Sequence, residues 1–98
     1  MQKFEEMSYQ QILDAIREDA PMMTLSANEK EHAVFIWYGK GRSLEFEVKR
    51  NPVTSKLAVY MNYTFKTAGG GRIIDRREEI ALAVSKHTDI EDYQLTLF

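Results

Sequence analysis

The middle of this chain sets cations beside aromatic rings. Trp37, Lys40, Arg42, Lys49, Tyr60, Lys66, Arg72, Arg76 and Arg77 fall within a single stretch. Single-stranded nucleic acid is held by that combination, cations tracking the phosphates while bases stack on rings at ~1–3 kcal/mol per base. Cut at Gly39/Lys40 and Arg77/Glu78, residues 1–39 carry three Lys/Arg against seven Asp/Glu, residues 40–77 nine against three, and residues 78–98 one against five. A basic middle between acidic ends points to an anionic partner even though the net charge is −2. The plainer role for the same residues is structural: Phe35, Trp37 and Tyr60 pack in a core, and the lysines solvate strand edges.

Gly69-Gly70-Gly71-Arg72, with Arg76 and Arg77 close behind, offers backbone amides and guanidiniums to a phosphate. Its spacing matches neither the Walker loop nor the dinucleotide fingerprint, so a mobile linker between sheet and helix is the favoured reading. Catalysis finds little support. The chain has no cysteine, which removes thiolate nucleophiles, disulfides and Cys-based metal sites. His32 and His87 belong to no metal spacing. His32 reads as a solvated connector residue, and His87 as a helix C-terminal residue whose protonated form the dipole favours. The acid pairs Glu5/Glu6, Glu45/Glu47 and Glu78/Glu79 read as surface charge, and no serine sits in a nucleophile elbow. The expectation is a non-enzymatic protein without a cofactor.

The elements that must position these residues form one α+β pattern. Ser8 caps a helix whose face carries Tyr9, Ile12, Leu13 and Ile16 at i, i+3, i+4, i+7, ended by Pro21. Met22 to Leu25 reads as a short strand, and Glu29 to His32 as a connector or part of a hairpin. Ala33 to Tyr38 is β-branched and aromatic, Gly39-Lys40-Gly41-Arg42 supplies a tight turn, and Ser43 to Lys49 alternates cleanly. After the Asn51-Pro52 turn, Lys56 to Lys66 reads as a long strand with Leu57, Val59, Met61, Tyr63 and Phe65 on one face and Tyr60 and Lys66 on the other. Three glycines then break the pattern. Asp75, with Glu78 three residues later, is read as the cap of a second helix whose face carries Ile80, Ala83, Val84 and His87.

The last five residues, Gln94-Leu95-Thr96-Leu97-Phe98, resemble the short peptide Q-L-x-L-F by which bacterial replication and repair proteins attach to the ring-shaped sliding clamp. The resemblance implies that Gln94 is the polar anchor at the pocket rim, Leu95 a supporting contact, and Leu97 with Phe98 the knobs that fill an apolar cleft. Thr96 stands where Ser or Asp is commoner. Tyr93 to Phe98 also alternates as an edge strand does, and that reading makes the segment part of the sheet.

In 98 residues with 44% apolar composition there is room for one modest core. The expected domain covers residues 1–88, an antiparallel meander of three to five strands flanked by an N-terminal and a C-terminal helix. Residues 89–98 form a tail or edge strand. No apolar run reaches the ~20 residues of a membrane span and the N-terminus does not resemble a secretory signal, so the expected location is the cytoplasm. The functional expectation is a DNA replication or repair accessory protein that docks on the sliding clamp and contacts single-stranded DNA through a basic aromatic sheet, a compact chain of the kind a phage or mobile element encodes. The alternative is a protein-binding inhibitor or structural subunit with no DNA role.

Overall fold

The computed structural model describes residues 2–66 and 68–88. Helix α1 (Tyr9–Asp19) starts at Ser8, whose hydroxyl accepts the Gln11 backbone N–H while its own N–H donates to the Gln11 side chain. This reciprocal cap satisfies two donors that a helix start otherwise leaves open. The Ala20 N–H closes on the Ile16 carbonyl, and Pro21 prevents another turn.

Among the described residues five strands follow: β1 (Thr24–Glu29), β2 (His32–Gly39), β3 (Arg42–Arg50), β4 (Leu57–Phe65) and β5 (Ala68–Ile74). They pair in sequence order, each antiparallel to the next, and helix α2 (Glu78–His87) is the last described element. The expected two-layer α+β architecture is present. Alternation puts Ala33, Phe35, Leu44, Phe46, Val48, Val59, Met61 and Ile74 on one face, all buried against Ile12, Leu13 and Ile16 of α1 and Ile80, Ala83 and Val84 of α2. A short 3-10 turn, Phe4–Glu6, adds Phe4 to this core, and the Phe4 N–H donates to the Asp75 carbonyl.

Three local expectations are corrected. The glycine run is not a linker: Gly69, Gly70 and Gly71 lie within β5, opposite Thr64, Tyr63 and Asn62. A Cβ on Gly70 would stand 2.8 Å from the Tyr63 hydroxyl, and one on Gly71 would stand 2.5 Å from Asn62 Oδ1. Side chains of β4 thus lie across the β5 backbone, and the glycines make room for them. Asp75 does not cap α2. The helix begins after Arg77 without a side-chain cap, and Glu79 reaches back to accept the Asp75 and Arg76 amides. The first strand runs from Thr24 rather than Met22, extends to Glu29, and turns through Lys30 and Glu31 at φ 48° and 60°.

Candidate functional site

The fold disperses the cations and rings that the sequence lists together. Trp37 shares the helix-covered face with Leu44 and Tyr63, and its ring folds so closely over Gly39 that a Cβ there would lie 2.1 Å from it. Tyr60 stands opposite Glu47 on the other face, which no described element covers. Trp37 and Tyr60 therefore do not form one stacking surface. Strand phase accounts for this: Trp37 is in step with buried Phe35, while Tyr60 is out of step with buried Val59 and Met61.

On the uncovered face Lys49 Nζ sits 4.9 Å from the Tyr60 ring centroid and 3.6 Å from Glu47, which also takes a 2.6 Å hydrogen bond with His32. Glu45 accepts from Asn62 nearby. This surface is mixed in charge. Elsewhere the basic middle neutralises itself against the acidic ends. Arg50 holds Glu31 through two bonds of 3.1 and 3.0 Å. Arg77 holds Asp19 through two of 2.7 and 2.6 Å and approaches Glu18. Arg72 bonds Glu79 at 3.0 Å. Burial acts to raise the Glu79 carboxyl, but the bonds from Arg72 and from the Asp75 and Arg76 amides outweigh it and hold it below its ordinary value. Much of the charge contrast along the sequence is thus structural pairing between α1, the β1–β2 turn, β5 and α2, while Arg76 stays exposed beside the α2 start.

One basic group does come together. The turns β2–β3 and β4–β5 lie at the same end of the sheet, joined by the Lys66 N–H donating to the Gly41 carbonyl. Lys40 and Lys66 are exposed there, and the Arg42 guanidinium and Lys66 ammonium lie 4.9 and 5.4 Å from the centroid of Phe65, itself 46% exposed. Alternation along β4 places Phe65 on the apolar face, and nothing in its spacing marks it as a site residue. It is the end of the strand, next to Lys66 and paired with Arg42, that carries the ring clear of the helices.

The second feature is a cleft of about 610 Å³ between α2 and the β4–β5 hairpin, lined by Met61, Tyr63, Gly71, Arg72, Leu82, Lys86 and His87 among others. His87 stacks on Tyr63. Burial, then the charges of Lys86 and Arg72, push its imidazole below the ordinary histidine value, so the expectation that the helix end favours the protonated form is reversed. Among the described residues no group of three or more His, Asp or Glu is placed to hold a metal ion, and no helix is long and apolar enough to cross a membrane.

Gln94, Leu95, Leu97 and Phe98 lie outside the described residues. The last described feature before them is the end of α2, where the buried Thr88 hydroxyl and N–H both donate to the Val84 carbonyl. A scan against known protein families, a search of curated proteins and a search of solved structures each find no match to this chain.

Proposed function

We propose that this protein is a small, non-enzymatic accessory factor of DNA replication or repair that docks on the bacterial sliding clamp through Gln94 to Phe98. The observation that carries this reading is the peptide itself, with a glutamine followed by leucine, a small residue, and a terminal leucine and phenylalanine. Short linear peptides of this kind dock on a partner without rearrangement of the domain that carries them.

The folded domain then supplies the second contact. The best-assembled group for single-stranded DNA is the sheet end formed by Lys40, Arg42, Phe65 and Lys66, in place of the broad sheet surface drawn from the sequence. The decisive measurement is clamp binding by the wild type and by a Leu97→Ala, Phe98→Ala double variant. Binding that the double variant loses supports the reading, while equal affinity, or no binding by either, overturns it.

A further inference from the structure

Among the described strands β5 is an outer one, and its hydrogen-bond phase follows from neighbouring contacts. The Lys66 N–H donates to Gly41 O, so β4 residues alternate from there: Thr64, Asn62 and Tyr60 turn their backbone groups to β3, while Phe65, Tyr63, Met61 and Val59 turn theirs to β5. The Tyr63 and Met61 carbonyls accordingly lie 3.0 Å from Cβ positions built on Gly69 and Gly71. Gly69, Gly71 and Ile73 are left with N–H and C=O pointing outward.

Outer strands are normally blunted by a bulge, a lysine, a proline or a covering element. The opposite edge follows that rule, since β1 has a register shift between Leu25 and Ala27. Among the described residues β5 has no bulge, lysine, proline or covering element: it pairs with β4 without a shift, Ala68 to Ile73 are all exposed, and its one charged side chain, Arg72, is drawn to Glu79 of α2. Its sequence is small in the first half and bulky in the second.

We infer that β5 is a dimerisation edge that pairs antiparallel with β5 of a second copy about a two-fold axis at Gly71, fusing the two sheets. This register uses the whole strand and fits the outward phase, with Gly71 facing the partner's Gly71 and Gly69 facing the partner's Ile73. It also sets every large side chain against a small one: Ile73 against the partner's Gly69, Arg72 against the partner's Gly70, Ile74 against the partner's Ala68. The partner's Arg72 comes alongside Tyr63, which lies over Gly70. On the helix layer Leu82, 69% exposed, lines the cleft that reaches Gly71 and so faces the same edge. The steric match of β5 to itself is what favours a second copy over an unrelated strand. The inference is independent of clamp docking.

Sedimentation of the full chain over a concentration series tests it. The mass rises from that of one 11.4 kDa chain to twice that value. Ile73→Pro removes an outward N–H without removing a β4 bond, a placement that proline tolerates on an edge strand. That variant stays monomeric at concentrations where the wild type and Ile73→Thr, which keeps the N–H, are dimers. A wild type that is monomeric up to its solubility limit, or a dimer that folded Ile73→Pro leaves intact, overturns the proposal. Should Ile73→Pro fail to fold, amide exchange of the wild type decides. Protection of Gly69, Gly71 and Ile73 that grows with concentration supports pairing between copies, and protection that does not depend on concentration assigns the edge to another occupant and overturns it.

Discussion

Tyr63 and His87 stack with ring centroids 4.1 Å apart and planes inclined by 23°. The contact fastens the last turn of α2 to the sheet, and it exists because Gly70 leaves room for the Tyr63 ring over the β5 backbone. One aromatic pair therefore links the glycine run, the hairpin end and the helix C-terminus. Offset-stacked rings of this kind contribute about 0.5–1.5 kcal/mol beyond their burial.

His87 gives this region a pH dependence. Its folded pKa lies below the ordinary value of 6.5, through burial and then the charges of Lys86 and Arg72. The unfolded chain therefore binds more protons in that window, and stability rises with pH through it and is lost as pH falls below about 6.5. Comparing unfolding free energies at pH 5 and pH 7.5 for the wild type and His87→Phe, which keeps a ring on Tyr63, isolates the effect. The variant should show a smaller stability difference between the two pH values. A folded-state imidazole titrating at or above 6.5 by NMR would contradict the assignment.

Gly70 separates a strand from a linker by the sign of a mutation. Glycine to alanine in a flexible linker stabilises by about 0.4–1 kcal/mol, because the unfolded chain loses freedom. In β5 the new Cβ meets the Tyr63 hydroxyl at 2.8 Å, and accommodating it should cost about 1–3 kcal/mol, as overpacking does elsewhere. Denaturant unfolding of Gly70→Ala gives the sign directly, and a stabilised variant would return the segment to the linker reading.

The contrast between Ser8 and Gly70 shows where sequence reading succeeds. Ser8 with Gln11 is a local device, the apolar spacing of Ile12, Leu13 and Ile16 already names the buried face, and Pro21 marks the stop, so α1 was legible from cap to end. The alternation of Leu44, Phe46 and Val48 identified β3 in the same way. The glycine run was misread because its conformation depends on Tyr63, Asn62 and Thr64 across the sheet, and a single strand does not show what lies over it. The β1–β2 turn was legible as a connector or part of a hairpin, and the hairpin is what forms, but its details were not: Lys30 and Glu31 adopt positive φ without glycine, while Arg50 on β3 clamps the Glu31 carboxylate. At the candidate site the charges were visible but their pairing was not, since Arg77 finds Asp19 only when α2 packs beside α1.

That last contact is the next quantity to measure. Arg77 meets Asp19 through two bonds of 2.7 and 2.6 Å, in fork geometry. Hydrogen bonds to charged groups contribute about 1.5–3 kcal/mol, discounted here because the Arg77 side chain keeps 36% of its exposure. Asp19→Asn should therefore destabilise by about 1–2 kcal/mol, and Arg77→Lys should also lose stability because an ammonium cannot reproduce the fork. A double-mutant cycle with coupling near zero would mean that Arg77 is free to serve a ligand after all.

The sheet end is where ligand binding should be concentrated. Lys40 and Lys66 are exposed around Phe65, whereas Arg72 and Arg77 are engaged with Glu79 and Asp19. Each phosphate that a cation neutralises on a single strand contributes about −0.7 to the slope of log affinity against log salt. Lys40→Glu with Lys66→Glu should weaken binding of a short single-stranded oligonucleotide and flatten that slope by about one, the two lysines sharing roughly one to two phosphates. Phe65→Ala should weaken binding by about 1–3 kcal/mol while leaving the slope unchanged, because it removes stacking and no charge. Charge reversal at Arg72 should instead lower stability and leave the slope alone. If the Arg72 reversal flattens the slope while the lysine pair does not, the contact belongs to the cleft beside α2 and the sheet end is excluded.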